Sequence, residues 1–354
     1  VIFVAAIAAA YQLVALLACL VFQRGASGQG PGARPASILK PIRGADPGLR
    51  EALASHAVLE GTYELLCGVS DAADAAVQAI QESPRGRAIV TRTKAPNQKV
   101  GVLIDLAREA AYPILIVNDA DIRVPPDYLL HVTAPLEDPK IGLVTCLYRA
   151  RGETIAGRFE ALGVSTDFAP STLVARLVGV DEFALGSTLA FRRSDLERIG
   201  GFEAFADYLA DDYQLGHRIH GLGLKCLLAP IVVETCLGGS FRDVWRHQVR
   251  WARTIRVSKF WGYAGLPVTF ATVWAVVAAA VGQWDIAVGL VAVRVAAGLA
   301  GIAAVKDYRS LWLFWAMPLR DLFGAAVWLT GFFGNTVEWR GRTLKLDREG
   351  RIVS

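Results

Sequence analysis

The feature that most constrains this chain is where its charges are missing. Residues 1–22 hold no charged side chain, and about 20 apolar residues at 1.5 Å each span a bilayer core. Three more apolar stretches, 264–284, 286–305 and 311–334, close the chain. Between them residues 36–263 are polar and numerous enough for one substantial core. The pattern implies a folded domain tied to a membrane at both ends. A cleaved signal peptide is the competing reading of the first stretch. Against it, the run outlasts a signal h-region and no small-x-small cleavage site precedes the next domain. The sequence starts without Met, which leaves room for residues upstream.

Orientation is set by the flanks. Arg24, Arg34, Lys40 and Arg43 come before the first acid, Asp46, so the positive-inside rule puts this flank and the polar domain after it in the cytoplasm. The second C-terminal stretch carries Arg294, and the third carries Arg320 and Asp321 side by side. A charge at the bilayer centre costs about 2.5–3.5 kcal/mol on insertion scales, so these groups are expected to be paired or turned inward. Pro318, just before the pair, is expected to break a helix. Three full crossings would put the basic tail (Arg340, Arg342, Lys345, Arg348, Arg351) outside, against the rule. One stretch is therefore expected to lie in the interface or to re-enter.

Composition excludes several classes. With 53% hydrophobic and 20% charged residues, neither disorder nor a small disulfide scaffold fits. Lys+Arg 37 against Asp+Glu 33, a net +4, is too balanced for a nucleic-acid partner. Five cysteines without a C-x-x-C spacing read as reduced thiols, not a disulfide or zinc framework. There is no internal repeat, and the low-complexity stretch is the Gly-rich linker 25–32.

The middle alternates. Residues 37–40, 64–69, 88–91, 114–118 and 141–147 read as short buried strands, and 75–82, 99–110 and 127–136 as helices. That rhythm predicts an α/β fold, a parallel sheet with helices on both faces, whose ligands bind beyond the carboxyl ends of the strands. Acids stand at those ends. Asp71 follows 64–69, and Asp119-Ala120-Asp121 follows 114–118. Carboxylates at i and i+2 of an extended segment point to one side, and such a pair can hold a divalent cation whose octahedron is completed by phosphate oxygens. A surface turn is the plainer reading of a D-x-D.

A second acidic pair, Asp211-Asp212, opens a helical pattern running to about His220. Capping explains one acid and leaves the other. Ser194-Asp195-Leu196-Glu197 reads as a capping box, and Gly186-Ser187-Thr188 as a place where backbone can approach a substrate. Residues 245–253 interleave aromatics and bases, with Trp245, Val249 and Ala252 on one helical face; an interfacial helix and an active-site element are both compatible with them. Residues 152–179 are amphipathic, either a wall of a lipid pocket or a plain surface helix.

Taken in order, these elements resemble the ceramide glucosyltransferase-like membrane glycosyltransferases of the GT-A fold, over nearly the whole chain. Ile38-Leu39-Lys40-Pro41 with Asp46-Pro47 is similar to the family's opening motif, and Asp71, Asp119–Val124 and Asp211-Asp212-Tyr213 to its three aspartate motifs. Asn97 and Lys99 match its N-x-K element, Gly186-Ser187 its glycine-rich strand, Arg250-Trp251 the end of its Q/R-x-x-R-W signature, and Trp339-Arg340-x-Arg342 its tail. His247 departs from the signature's Gln or Arg, which argues against a processive polysaccharide synthase. Residues 143–149 and 245–256 look most like the bacterial hopanoid-associated members.

The resemblance implies a GT-A-like mostly parallel sheet flanked by helices, with transmembrane helices at both ends. Its expected parts are a span at 1–22, a cytoplasmic catalytic domain at 36–240, an interfacial helix at 241–263, membrane segments at 264–334 and a basic tail at 335–354. It further implies an inverting transfer of N-acetylglucosamine or glucose from a UDP-sugar to a hydroxyl of a membrane lipid, a hopanoid polyol, at a bacterial inner membrane. Asp121 with Asp119 would hold Mg²⁺ or Mn²⁺. Asp71, Lys40, Lys99, Asp119 and Gly186 would serve the donor side, with His247, Arg250 and Trp251 positioning acceptor and diphosphate. Asp212 would be the base and Asp211 its neighbour. The rivals are a ceramide glucosyltransferase, a processive synthase, a transporter or channel suggested by Arg294 and Arg320-Asp321 but lacking any inverted repeat, and a catalytically dead lectin-like anchor.

Overall fold

The computed structural model describes residues 1–24, 32–46, 48–339 and 341–353. Residues 25–31 of the Gly-rich linker, Pro47 and Arg340 lie outside the described residues. The chain divides into two compact units, Ala26–Tyr148 with Val180–Cys236, and Val1–Gly25 with Arg149–Gly179 and Leu237–Ser354.

The first unit is built on a seven-stranded sheet: β1 (Ala36–Pro41), β2 (Tyr63–Val69), β3 (Gly86–Val90), β4 (Ile114–Val117), β5 (Ile141–Gly152), β6 (Leu189–Arg192) and β7 (Lys225–Leu237), in the order β3-β2-β1-β4-β6-β5-β7. β1 to β4 pair in parallel, as the apolar runs without polar alternation predict. β6 runs antiparallel to β4 and to β5, a reversal that the expectation of a parallel sheet did not contain. Successive residues of each strand bury into opposite faces. Ile38, Leu65, Ile116 and Val144 enter one core, and Leu39, Leu66, Leu115 and Leu143 the other. Both faces are covered by helices, so a mostly parallel sheet flanked by helices is what is observed, mixed beyond β4.

Ser194–Glu197 is not a capping box. The helix begins at Arg193 with Arg192 at its N-cap and no side-chain cap, so Ser194 already stands inside the first turn; Asp195 is held by Arg192 and Arg198 at 2.7 and 3.0 Å. A true box forms at Ser240 and Asp243, opening the helix Phe241–Ser258.

The second unit contains two helices long and apolar enough to cross a membrane, Ile2–Arg24 and Trp284–Val305. The pair Phe260–Thr269 and Ala271–Ala280 also passes if counted as one span, but it bends by 51°. The last apolar stretch folds as a 3₁₀ segment, Tyr308–Ala316, and the 15-residue helix Met317–Gly331. Fifteen residues rise roughly 22 Å, short of a bilayer core of about 30 Å. Pro318 begins this helix instead of breaking it, since its missing N–H is one the first turn leaves unpaired anyway.

Small residues let these helices pack closely: Ala5 and Ala8 cluster with Ala271, Ala275 and Leu290. Gln12, buried in the first span, donates to the Thr269 carbonyl at 2.9 Å. Of the membrane-segment charges, Arg294 and Asp321 pair with each other, whereas Arg320 gives its side-chain bond to Gln248 Oε1 at 3.1 Å. Asp321 meets Arg294, with bonds of 2.9 and 2.7 Å, and Arg320 is buried elsewhere against Phe159 and Phe323. Trp261, Trp284, Trp312 and Trp315 stand exposed, as aromatics at a membrane interface do.

Residues 152–179 are no plain surface helix. They form Ile155–Gly163, a π turn at Val164–Phe168, and Ala169–Leu177, with Glu160, Leu162, Ser165, Thr166 and Leu173 buried. The π turn's Thr166 carbonyl accepts from Arg294 at 2.8 Å. A short hairpin, Thr336–Trp339 with Arg342–Lys345, comes after the last helix.

Candidate active site

The site starts from where β4 stops. Its four residues are all buried, and beyond Val117 the chain turns: the Ile122 N–H donates to the Asp119 carbonyl at 3.2 Å. Asp119 and Asp121 therefore sit on a turn, not on an extended strand, and the same-side argument from strand alternation does not hold them together. Each has its own support. Asp121 Oδ2 accepts from the Thr235 hydroxyl and, at 3.0 Å, from the Cys236 N–H of β7. A bridge and ion pair between Arg123 and Glu234, 2.9 Å, anchor the turn to the same strand. Lys40 lies beneath.

Lys40 is wholly buried, and its ammonium donates to the carbonyls of Asp119, 2.7 Å, and Ile122, 3.3 Å. Burial pulls its pKa down to about 8, against the opposing pull of Cys67, Asp121 and Asp119. The expected donor-binding role is corrected accordingly: the side chain is spent on holding the turn from behind and has no surface to offer a nucleotide.

Lys99 reaches the site because Asn97 caps its helix, Gln98–Glu109. The Asn97 side chain accepts from the N–H groups of Lys99 and Val100, the usual bond of an N-cap. Lys99 Nζ then lies 2.9 Å from Asp119 Oδ1 and 2.9 Å from Asp211 Oδ2. Asp211 and Asp212 occupy the first turn of the helix Asp211–Gly221, whose N-cap, Ala210, offers no side chain. Neither acid caps in the ordinary sense. Asp212 Oδ1 accepts from the Tyr213 N–H at 2.8 Å and Oδ2 from the Gly186 N–H at 3.0 Å. A Cβ at Gly186 would stand 3.2 Å from Asp212 Oδ2 and 3.3 Å from Asp119 Oδ2, so a glycine lets these carboxylates close around one backbone point.

The charges respond. Burial and then the charge of Asp211 raise the Asp212 carboxyl to about 6. Burial also disfavours the Lys99 ammonium, but Asp119, Asp211 and Asp212 together outweigh it and hold its pKa above the ordinary range. One cation is shared by an excess of anions.

Asp71 stands exposed past the end of β2, at the carboxyl edge from which Asp119 also emerges. Its Oδ1 accepts from the Ala73 N–H at 2.9 Å, and among the described residues it makes no ion pair with the cluster. Asp74, not singled out from sequence, clasps the Gly44 N–H with both oxygens.

His247, Arg250 and Trp251 belong to the helix Phe241–Ser258, in the other unit. His247 Nδ1 lies 2.7 Å from Glu160 Oε1, and the imidazole meets the Trp251 ring edge-on at 4.6 Å. Gln248 donates to the same Glu160 oxygen at 2.6 Å. Arg253 and Arg256 are committed elsewhere, donating to carbonyls of Phe332, Phe333, Gly334 and Thr336 at the end of the last helix. Glu160, Thr235 and Asn118 escaped sequence reasoning, each acting through a partner far along the chain.

The donor set bears on a metal. Asp119 is half-exposed, and Asp121 keeps Oδ1 beyond its two protein bonds. Among the described residues no third His, Cys, Asp or Glu joins them. Carboxylate oxygens are the hard donors that Mg²⁺ or Mn²⁺ takes.

The sequence pattern of glycosyl transferase family 21 matches residues 1–352. The chain belongs to that family. Among curated proteins it is similar to ceramide glucosyltransferase 1 of Caenorhabditis elegans, 28% identical over 203 residues, covering 54% of this chain and 43% of that protein. Ceramide glucosyltransferase 3 of the same organism is 27% identical over 203 residues, covering 54% and 44%. This family 21 chain thus matches less than half the length of those relatives. Among solved structures, the mannosyltransferase PcManGT from Pyrobaculum calidifontis, in complex with GDP-Man and Mn²⁺, aligns with a TM-score of 0.48 and 18% identity, over 93% of this chain and 99% of that one.

Proposed function

We propose that this protein is an inverting glycosyltransferase that moves one sugar from a UDP-sugar to a hydroxyl of a membrane lipid. The observation that carries the reading is the Lys99 ammonium divided between Asp119 and Asp211, with Asp212 left over beside Gly186. That arrangement separates the roles of neighbouring acids. Asp119 and Asp121 would hold Mg²⁺ or Mn²⁺, which when bound neutralises the diphosphate as it leaves. Lys99 pairs with Asp211 at 2.9 Å. Asp212, its pKa lifted towards neutrality by burial and by Asp211, is suited to accept a proton at working pH.

In the step itself, the acceptor oxygen attacks the anomeric carbon and its proton passes to Asp212. The new C–O bond forms as the bond to the diphosphate breaks, and UDP departs with that electron pair. A single displacement inverts the anomeric centre and leaves no sugar on the enzyme. Asp71, at the same sheet edge, would contact the uridine. His247, Arg250 and Trp251 would position the acceptor, and the spanning helices would keep the catalytic unit at a bacterial inner membrane, on its cytoplasmic side.

For the acceptor we favour a hopanoid polyol and, for the sugar, N-acetylglucosamine, on the resemblance of residues 143–149 and 245–256. Glucose and ceramide form the second reading, supported by the names of the two curated relatives. The deciding experiment incubates the purified protein with radiolabelled UDP-N-acetylglucosamine or UDP-glucose and either total bacterial lipid or ceramide, with mass spectrometry of the product. A labelled glycolipid is expected. A polymer, or no lipid-linked label with either donor, would overturn the reading.

A further inference from the structure

Beneath the acidic cluster lies a buried tier of uncharged polar side chains that the chemistry above does not use. Asn118, Tyr128 and Thr188 are fully buried and Ser187 nearly so. Asn118 Nδ2 gives one hydrogen to the Ser187 carbonyl at 2.7 Å and the other to the Tyr128 hydroxyl at 3.0 Å, with Thr188 Oγ1 beside it at 3.3 Å, and its Oδ1 lies 3.3 Å from His56 Nε2. Its own N–H stays in the sheet, donating to the Leu39 carbonyl at 3.2 Å.

We infer that Asn118 is a positioning residue that orients the Asp212 carboxylate through the backbone of residues 186–188. The inference rests on the reading of Asp212 as the base. Asn118 immediately precedes Asp119, so its backbone belongs to the turn that presents one carboxylate. Its side chain grips Ser187, whose neighbour Gly186 gives its N–H to Asp212 Oδ2 at 3.0 Å. The residue therefore stitches the Asp119 turn to the loop that aims Asp212.

The same loop is held from β5. The Thr145 hydroxyl takes part in bonds with Leu185 N and O, at 3.0 and 3.2 Å, and Ser187 Oγ donates to the Cys146 carbonyl at 2.9 Å. Asn118 supplies the brace from β4. Among residue types of its size, only an amide gives both the donor for a carbonyl and neutrality inside the core; an Asp would set a carboxylate oxygen against the Ser187 carbonyl.

Loss of this brace should not disturb the donor side. The Asp119 turn keeps its bonds to the Lys40 ammonium, and Asp121 keeps Thr235 and Cys236. What changes is the aim of the Gly186 N–H, and a displacement of about 1 Å at a reacting group costs on the order of a hundredfold in rate.

The test compares Asn118→Leu, Asn118→Asp and Tyr128→Phe in the full chain, reconstituted with total bacterial lipid. It reads kcat for UDP release from UDP-N-acetylglucosamine and, by calorimetry, the Kd of UDP with Mn²⁺. Both Asn118 variants are expected to lose roughly 30–100-fold in kcat while UDP affinity stays within about threefold, a split that general loosening would not give. Tyr128→Phe keeps the Ser187 bond, so its kcat should stay within about threefold, the scale of one neutral hydrogen bond. Near-wild-type turnover in the Asn118 variants would overturn the inference, as would parallel loss of turnover and UDP affinity. If Asn118→Leu does not fold, the isosteric Asn118→Asp is judged by the same two numbers; failure of both to fold makes the residue structural and also overturns it. A wild-type chain that neither binds nor releases UDP defeats the glycosyl-transfer reading, and this inference with it.

Discussion

Lys99 and Arg294 are each a largely buried cation facing carboxylates, yet the two clusters end differently. Arg294 meets Asp321 through two side-by-side bonds and gives a third to the Thr166 carbonyl, and Asp321 also accepts from the Thr272 hydroxyl; the bonds of this pair are spent within the helices. Lys99 is divided between Asp119 and Asp211, and Asp212 remains beside them with its proton affinity raised. Such a pair lets a charge exist among apolar helices. A cluster with anions to spare attracts a cation and keeps a carboxylate ready for a proton. Buried ions alone therefore do not mark a site; the surplus does.

The contrast can be broken most severely at Asp212. Asp212→Asn should lower kcat by about 10³, within the usual range for a lost general base, with UDP affinity unchanged by calorimetry. Turnover near wild type would remove Asp212 from the chemistry. In the Arg294 pair, Asp321→Ala should cost about 3–5 kcal/mol, because Arg294 would be left buried and unpaired. Thermal unfolding in detergent would show it, and Arg294→Met with Asp321→Leu should recover most of the loss.

Asp121→Ala should reduce activity on the order of a hundredfold, the scale of removing one electrostatic stabiliser of a departing group. The residual rate should no longer respond to EDTA. A gentler effect concerns pH. A base must be ionised to work, so kcat should rise with pH through a midpoint near 6, where Asp212 gives up its proton. Lys99→Met removes a positive neighbour that favours the ionised form and should move that limb to higher pH. The smallest effect is expected at Gly186→Ala, whose Cβ would press on Asp212 and Asp119 and should lower kcat by about three- to tenfold, a fraction of an ångström's misplacement.

Much of this was legible in the sequence, for identifiable reasons. Unbroken apolar runs such as 114–117 report burial on both faces, and the acids just beyond them report the functional edge. Lys99 was legible as part of an Asn-x-Lys motif, although its bonds to Asp119 and Asp211 were not. What stayed hidden was long-range partnership. Nothing in residues 118–123 announces that Thr235 and Glu234 will hold that turn, and Lys40 looks like a donor ligand until its burial is seen. Ser194 illustrates the local version: the box pattern was present, but the helix begins ahead of it, at Arg193, and leaves Ser194 inside the first turn instead of at the cap.

The π turn at Val164–Phe168 has a consequence for how chain length can vary in this protein. Widening a helix by one residue shifts the phase of everything after it by about 100° and 1.5 Å. Removing a single residue there would rotate Pro170 and Leu173 off their buried side and carry the Thr166 carbonyl away from Arg294, while Pro170, which has no N–H, would still leave one carbonyl of the preceding turn without a backbone donor. Sequence length at this point is thus fixed as firmly as residue identity, and an alignment gap placed across it would signal a different arrangement of the guanidinium.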